Sequence, residues 1–260
     1  MSFELPCNPN YFSPEHVQFR DALRAFVTAE LIPHVDEWDE AGRFPRELYG
    51  RAANIGLLGM GYPAIYGGTP CDEFLKIIAN EEVARAGCGG LTASLLSHGI
   101  ALPPVLARGS AELKQRVVPA VLAGNKIAAL CITEPSGGSD VASLRTTAVR
   151  DGDHYVVNGE KTFITSGMRA DFLTVAVRTD PNNKGPGGIS LLLIDGETPG
   201  LSRSELKTMG WWASDTAQLH FDNCRVPVAN LIGDENQGFK AIMSNFNSER
   251  LGMAVMAYSY

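Results

Sequence analysis

One stretch of the chain concentrates residue types that suit ligand binding. It is Cys131-Ile132-Thr133-Glu134-Pro135-Ser136-Gly137-Gly138-Ser139-Asp140. An apolar strand pattern runs there into a loop of small residues. Gly137 and Gly138 let a backbone approach a ligand closely, because no Cβ intervenes. Thr133 and Ser139 add hydroxyls, and the loop adds unpaired amides, so such a site can grip a polar, partly anionic planar group. The other reading is a hairpin turn stabilised by its Ser and Asp side chains. Glu134 and Asp140 are candidate acids, but their place in the loop favours holding it by hydrogen bonds. A second stretch, Gly59-Met60-Gly61-Tyr62-Pro63-Ala64, matches the form of a dinucleotide fingerprint. That fingerprint needs a strand before it and a helix opening after it. The preceding residues look helical and Pro63 sits in the turn, so this stretch reads as a structural loop.

The elements that must carry these residues change character along the chain. Ser13-Pro14-Glu15 is a helix start, with a capping hydroxyl, a proline in the first turn and an acid at the positive helix end. Phe19, Leu23, Phe26, Val27 and Leu31 follow at helical spacing, and Pro33 is expected to close that helix. Further helices are expected over 46–55, 72–86, 91–106 and 111–122, with Gly87 to Gly90 breaking the third and Pro103-Pro104 interrupting the fourth. From Gly124 the pattern becomes β: strands over 126–133, 145–150, 154–157, 160–165, 172–178, 189–195 and 217–221. Asp151-Gly152-Asp153 and Asn158-Gly159 are read as tight turns of a meander. Helical spacing returns near Gln237, where Phe239, Ile242, Met243 and Phe246 share a face. Glu81-Glu82 beside Arg85 reads as a solvated helix face. His98 and His220 read as structural.

Bulk properties narrow the function classes. The 260 residues are 45% hydrophobic and 20% charged, with a net charge of -7. That balance fits a globular protein and argues against a nucleic-acid binder, which needs a basic surface. Five cysteines and five histidines are scattered without metal-ligand spacing, so no metal site is expected. Unclustered cysteines suit a reducing, cytoplasmic setting. The N-terminus shows no basic region followed by an apolar stretch, and no apolar run reaches the roughly 20 residues of a membrane helix, so neither a signal peptide nor a membrane role is expected.

The string Thr133-Glu134-Pro135 through Gly137-Gly138-Ser139-Asp140 resembles the signature of acyl-CoA dehydrogenases. Asn158-Gly159-Glu160-Lys161-Thr162-Phe163-Ile164-Thr165 resembles a second element of that family. Met209-Gly210-Trp211, Ser214-Asp215-Thr216, Phe221 to Pro227, Ile232 to Phe239 and Ser248-Glu249-Arg250-Leu251 follow in the family's order. The resemblance implies a multidomain α and β fold. Residues 1–124 would be an N-terminal helical domain, 125–235 a middle β-barrel, and 236–260 the first helix of a C-terminal helical bundle otherwise absent from the chain. It implies FAD as cofactor, held by Leu130, Ile132, Thr133, Gly138, Ser139, Phe163, Ile164 and Thr165. Leu130 stands where relatives often have Tyr, so only backbone contacts transfer there. Phe163 stands where they often have Trp, and lacks the indole donor.

The implied reaction is α,β-dehydrogenation of an acyl-CoA thioester to the trans-2-enoyl-CoA, part of fatty acid metabolism, with electrons passed to an electron-transfer flavoprotein. It needs a carboxylate base near the α carbon. In most relatives the base lies in the C-terminal domain. In the isovaleryl and long-chain branches the resemblance places it in a Glu-Arg pair, which here is Glu249-Arg250, and this favours branched or longer acyl chains. Ile242, Phe246, Glu249 and Met253 fall on one helical face. A carboxylate on that apolar stripe has its pKa raised by desolvation. The other reading of Glu249 is a structural ion pair. Substrate contacts carried over are Ser139, Asn247 and Arg250, although Asn247 replaces a common Asp. A homotetramer is implied for the complete protein. Two alternatives remain open: a flavin oxidase or monooxygenase on the same scaffold, and a non-catalytic fragment or assembly partner.

Overall fold

The computed structural model describes residues 8–260, apart from the side chains of Asn245, Asn247 and Ser248. Its first half is helical: α1 (Pro14–Phe26), α2 (Val35–Glu40), α3 (Glu47–Asn54), α4 (Glu73–Ala84), α5 (Gly89–Leu95), α6 (His98–Arg108) and α7 (Ala111–Leu122). Ser13 and Asp72 stand at helix N-caps, and the Asp72 side chain accepts the Leu75 amide. Pro33 does not end the first helix. The chain loosens into a wider turn over Val27–Leu31 and a tight one over Ile32–His34, and then continues into α2. Proline is tolerated there because it sits in a first turn, where its missing N–H costs nothing.

The expected helix over 91–106 is two helices, and they part at Leu96-Ser97 rather than at the prolines. Gly87 to Gly90 do break the third helix: α4 ends at Ala84, Gly87 is left-handed at φ 76°, and Gly89 and Gly90 open the separate α5. Pro103 and Pro104 lie inside α6, whose Ala101, Leu102 and Val105 are fully buried; packing overrides the local penalty. The span Gly89–Arg108 has a mean hydropathy of 1.3, enough by length and composition to cross a bilayer, but 61% of its apolar window is buried within this fold.

The second half is a seven-stranded sheet: β1 (Ala128–Cys131), β2 (Thr147–Asp151), β3 (His154–Ile164), β4 (Phe172–Arg178), β5 (Ile189–Asp195), β6 (Leu201–Glu205) and β7 (Ala217–Pro227). β1 runs parallel to β4, and β5 pairs with the other edge of β4. β2 and β3 form the expected hairpin, and β7 links β3 to β6. β5 and β6 do not pair with each other, so the sheet is a curled half-barrel, not the closed barrel that the resemblance implied. Asn158-Gly159 is not a turn. It is a bulge inside one long strand, where the register against β7 shifts between Val157 and Gly159. Gly159 has φ 143°, and a Cβ there would lie 2.7 Å from Thr146, so glycine is required by close approach as well as by backbone. β6 was not legible, because its half-exposed Leu201-Ser202-Arg203-Ser204-Glu205 carries little apolar signal.

Two apolar clusters join the halves. One runs from Leu23, Leu48 and Leu91 to Val157, Leu173 and Leu219. The other joins Leu102 and Val118 of α6 and α7 to Leu191 and Leu193 of β5 and to Ile242. Ile242 belongs to α8 (Gly238–Ser259), which packs on α4, α6 and β5. Glu82 is not on a solvated face. Its side chain is 1% exposed and meets Arg20, Arg24 and Arg85, because α4 is sandwiched between α1 and α8. Glu81 pairs with Arg20 and accepts a hydrogen bond from Tyr258 of α8.

Candidate active site

The small-residue loop leaves the end of β1 and turns at once. The amide of Glu134 donates to the carbonyl of Gly137 (3.1 Å), and the amide of Gly137 donates back to that of Glu134 (3.0 Å). The Glu134 side chain points inward. Its carboxylate accepts the amides of Arg145 (2.6 Å) and Thr146 (2.9 Å) and the Lys161 ammonium (2.8 Å). Burial alone would raise its pKa, but Lys161 and the Thr146 hydrogen bonds hold it below the ordinary value. Glu134 is thus a brace for the loop. Gly137, Gly138 and Ser139 are left exposed.

A second arm comes from β3. Its register slips again between Lys161 and Ile164, which swings Phe163 into the left-handed region at φ 57°. Phe163 is 66% exposed, while its neighbour Ile164 is buried. A bulky residue held at positive φ is strained by roughly 1–3 kcal/mol, and the strain persists only where the surroundings enforce it. The enforcement lies on both sides. Thr162 donates its amide to the Thr133 carbonyl (2.9 Å). Ser166, also left-handed at φ 60°, is buried and contacts Ser94 Oγ at 2.6 Å. Ser94 in turn donates to Asp215 (3.2 Å), which Arg169 also holds (2.9 Å). Burial raises the Asp215 carboxyl above its ordinary value, with Arg169 offsetting part of the rise.

These arms meet α5, α6 and α8 around a cleft of about 800 Å³. It is lined by Leu130, Ile132, Thr133, Gly138, Ser139, Phe163, Ile164 and Thr165, and also by Glu249 and Arg250. The expected residues therefore converge. Asn247 is the exception: its side chain lies outside the described residues. Phe246, Met243 and Met253 of α8 line the same cleft, although Met253 is 54% exposed and so not part of a buried stripe. Glu249 is half-buried, and its Oε2 is shielded from solvent without a hydrogen-bond partner. Desolvation raises its pKa, with Arg250 offsetting part of the effect. The Arg250 guanidinium lies 5.8 Å from the Phe246 ring centre instead of clasping the carboxylate.

Sequence reasoning missed the wall supplied by Thr92, Leu96 and Ser97 at the α5–α6 junction. The signal was the unrecognised helix break. His98 lies there too. It is buried and bonded through Nε2 to the Leu58 carbonyl (2.9 Å), and burial lowers its pKa to about 4, so it is a neutral structural group. His220 lies on the surface 3.4 Å from Glu160. Gly59 to Ala64 forms a loop with Gly61 at φ 78°, not a strand-to-helix turn.

Comparison with known proteins places the fold in a family. Residues 13–125 match the family model for the acyl-CoA dehydrogenase N-terminal domain, and residues 129–224 match that for the middle domain. The chain is 39% identical over 250 residues to the long-chain specific mitochondrial acyl-CoA dehydrogenase of Sus scrofa, covering 95% of this chain but 58% of that protein's length. A probable acyl-CoA dehydrogenase from Mycobacterium abscessus is 50% identical, with a TM-score of 0.93, over 96% of this chain and 66% of its own. A glutaryl-CoA dehydrogenase from Mycobacterium smegmatis, solved in complex with FADH2, is 30% identical, with a TM-score of 0.89, over 97% and 64%. With these matches and the converging cleft, the chain belongs to the acyl-CoA dehydrogenase family.

Proposed function

We propose that this chain holds FAD and an acyl-CoA thioester in the cleft and takes part in α,β-dehydrogenation of the acyl group to the trans-2-enoyl-CoA. The observation that carries this reading is the convergence of three things on one cleft: the exposed Gly137–Ser139 loop, the strained and exposed Phe163, and the partnerless carboxylate oxygen of Glu249. The residues fit a flavin. Loop amides and the Thr133 and Ser139 hydroxyls suit a polar heterocycle, and Phe163 offers an apolar face or edge beside it. When bound, the flavin supplies the acceptor for a hydride equivalent from the substrate's β carbon.

Glu249 is the base that removes the α proton. A carboxylate in water is a poor base for a carbon acid; desolvation raises its basicity toward the working pH. No protein donor holds Oε2, so the carboxylate is free to turn into the cleft that Glu249 lines and take that proton. Arg250 stands beside the base and suits contact with an anionic part of CoA. Ser139, on the exposed loop that lines the cleft, would contact the acyl-CoA. The Thr92, Leu96, Phe246 and Met243 walls keep water from the acyl chain. Reducing equivalents would then pass to an electron-transfer flavoprotein. The preferred acyl groups would be longer or branched, given the position of the base. A homotetramer is the assembly the family resemblance implies for the complete protein, and the free thiols of Cys71, Cys88, Cys131 and Cys224 suit a reducing cytoplasm.

The test is anaerobic titration of the FAD-loaded chain with isovaleryl-CoA and octanoyl-CoA. Loss of the visible flavin band with either thioester is expected. A flavin that stays oxidised with both would overturn the dehydrogenase reading for this chain.

A further inference from the structure

We propose that Lys161 is a positioning residue, whose buried ammonium ties the loop arm of the cleft to the Phe163 arm; the flavin part of this proposal rests on the function proposed above. The Lys161 side chain is fully buried, and that of its partner Glu134 is 4% exposed. Its ammonium makes a hydrogen bond to each arm of a corner: to the Ile132 carbonyl (3.0 Å) and to Glu134 Oε1 (2.8 Å). Ile132 is itself a cleft residue, and Glu134 begins the tight turn that presents Gly137 to Ser139. Two residues after Lys161, the strand slips register and turns Phe163 outward. This side chain and the backbone hydrogen bond from Thr162 to Thr133 together set the spacing between the two arms.

A purely stabilising role accounts poorly for a charge at this place. A buried ion pair gives little net stability compared with well-packed apolar residues of the same volume. An apolar side chain, however, cannot donate to the Ile132 carbonyl or to Glu134. Without the ammonium, that carbonyl loses its donor, and the carboxylate loses the charge that holds it ionised and pointing at the Arg145 and Thr146 amides. What the pair supplies is direction: it fixes where the Ile132–Thr133 backbone lies relative to β3.

The test compares Lys161→Met with Glu82→Gln, which also breaks a buried ion cluster but lies among α1 and α4, outside the cleft lining. Both variants should melt below the parent chain. Only Lys161→Met should also weaken FAD binding, by about tenfold or more, equivalent to roughly 1.4 kcal/mol. In the flavin-free chain, it should speed hydrogen exchange of the Glu134, Gly137, Arg145 and Thr146 amides, which are bonded within or to the loop, while leaving those of Val175 and Leu192 in β4 and β5 unchanged. If Lys161→Met does not fold, Glu134→Gln carries the same comparison, since it keeps volume and an acceptor oxygen. Equal melting losses in the two variants, with loop exchange and flavin affinity untouched in the folded fraction, would overturn the proposal. If the parent chain binds no FAD, the flavin reading falls, and the exchange result alone decides whether Lys161 positions the loop.

Discussion

Phe163 of β3 and Glu249 of α8 line the same cleft, the first held at φ 57° and the second carrying a shielded oxygen without a partner. Each departs from what local energetics favours. An aromatic residue prefers negative φ, and a carboxylate prefers water or a donor. Two unfavourable arrangements in the lining of one cavity are what a site for ligand and proton transfer tolerates.

Glu249→Gln should separate binding from chemistry. The amide keeps the shape of the side chain but cannot take a proton. Flavin affinity should stay within about twofold, and the rate of flavin reduction by acyl-CoA should fall about 10²–10⁴-fold, the usual worth of a general base. Stopped-flow absorbance reads both. Unchanged reduction would remove Glu249 from the mechanism.

The raised pKa of Glu249 fixes the sign of two pH effects. A carboxyl whose folded-state value is raised stabilises the fold fully below its ordinary value of 4.5, and that contribution is lost as pH rises through the folded value. Glu249→Gln should therefore melt higher than the parent at neutral pH, with the gap closing as pH falls to 4.5. Reduction rates in the parent should climb with pH through the same raised value, as a base must be ionised to act. Melting curves from pH 4 to 8 check the first effect; a rate profile checks the second.

Phe163→Gly should trade function for stability. Glycine accepts positive φ freely, and the Phe163 ring is 66% exposed, so little burial is lost. Stability should rise by up to about 1 kcal/mol. FAD affinity should fall about tenfold with loss of the ring surface. A variant that is both less stable and equally able to bind flavin would show that Phe163 is not strained for the site's sake.

Glu82→Ala should cost about 1–3 kcal/mol, since it removes the buried carboxylate that Arg20, Arg24 and Arg85 share, while Arg20 keeps its pairing with Glu81. Urea denaturation reads the loss directly. A change below about 1 kcal/mol would mean that the cluster is effectively solvated.

Much of this was legible in the sequence, and the failures share a cause. Ser13-Pro14 announced a helix start, and β4 and β5 appeared with their expected bounds, because caps and continuous apolar runs are local signals. Pro33, Pro103-Pro104 and Asn158-Gly159 misled, because each residue type has a strong local preference that tertiary contacts overrode. Glu82 misled because the arginines that bury it lie on another helix as well as on its own. The cleft residues were found through motif resemblance; spacing alone left the loop between a turn and a ligand site. The slip that turns Phe163 outward left no trace in composition.

The most direct test of the flavin site is equilibrium binding of FAD to the 260-residue chain, followed by flavin fluorescence quenching and by the visible spectrum. Saturable binding with a resolved, shifted flavin band, weakened by Phe163→Gly and not by Glu249→Gln, is the expected result. Absence of saturable binding at concentrations up to about 100 μM, a bound-state free energy weaker than roughly 5.5 kcal/mol, would contradict the assignment of this cleft as a flavin site in this chain.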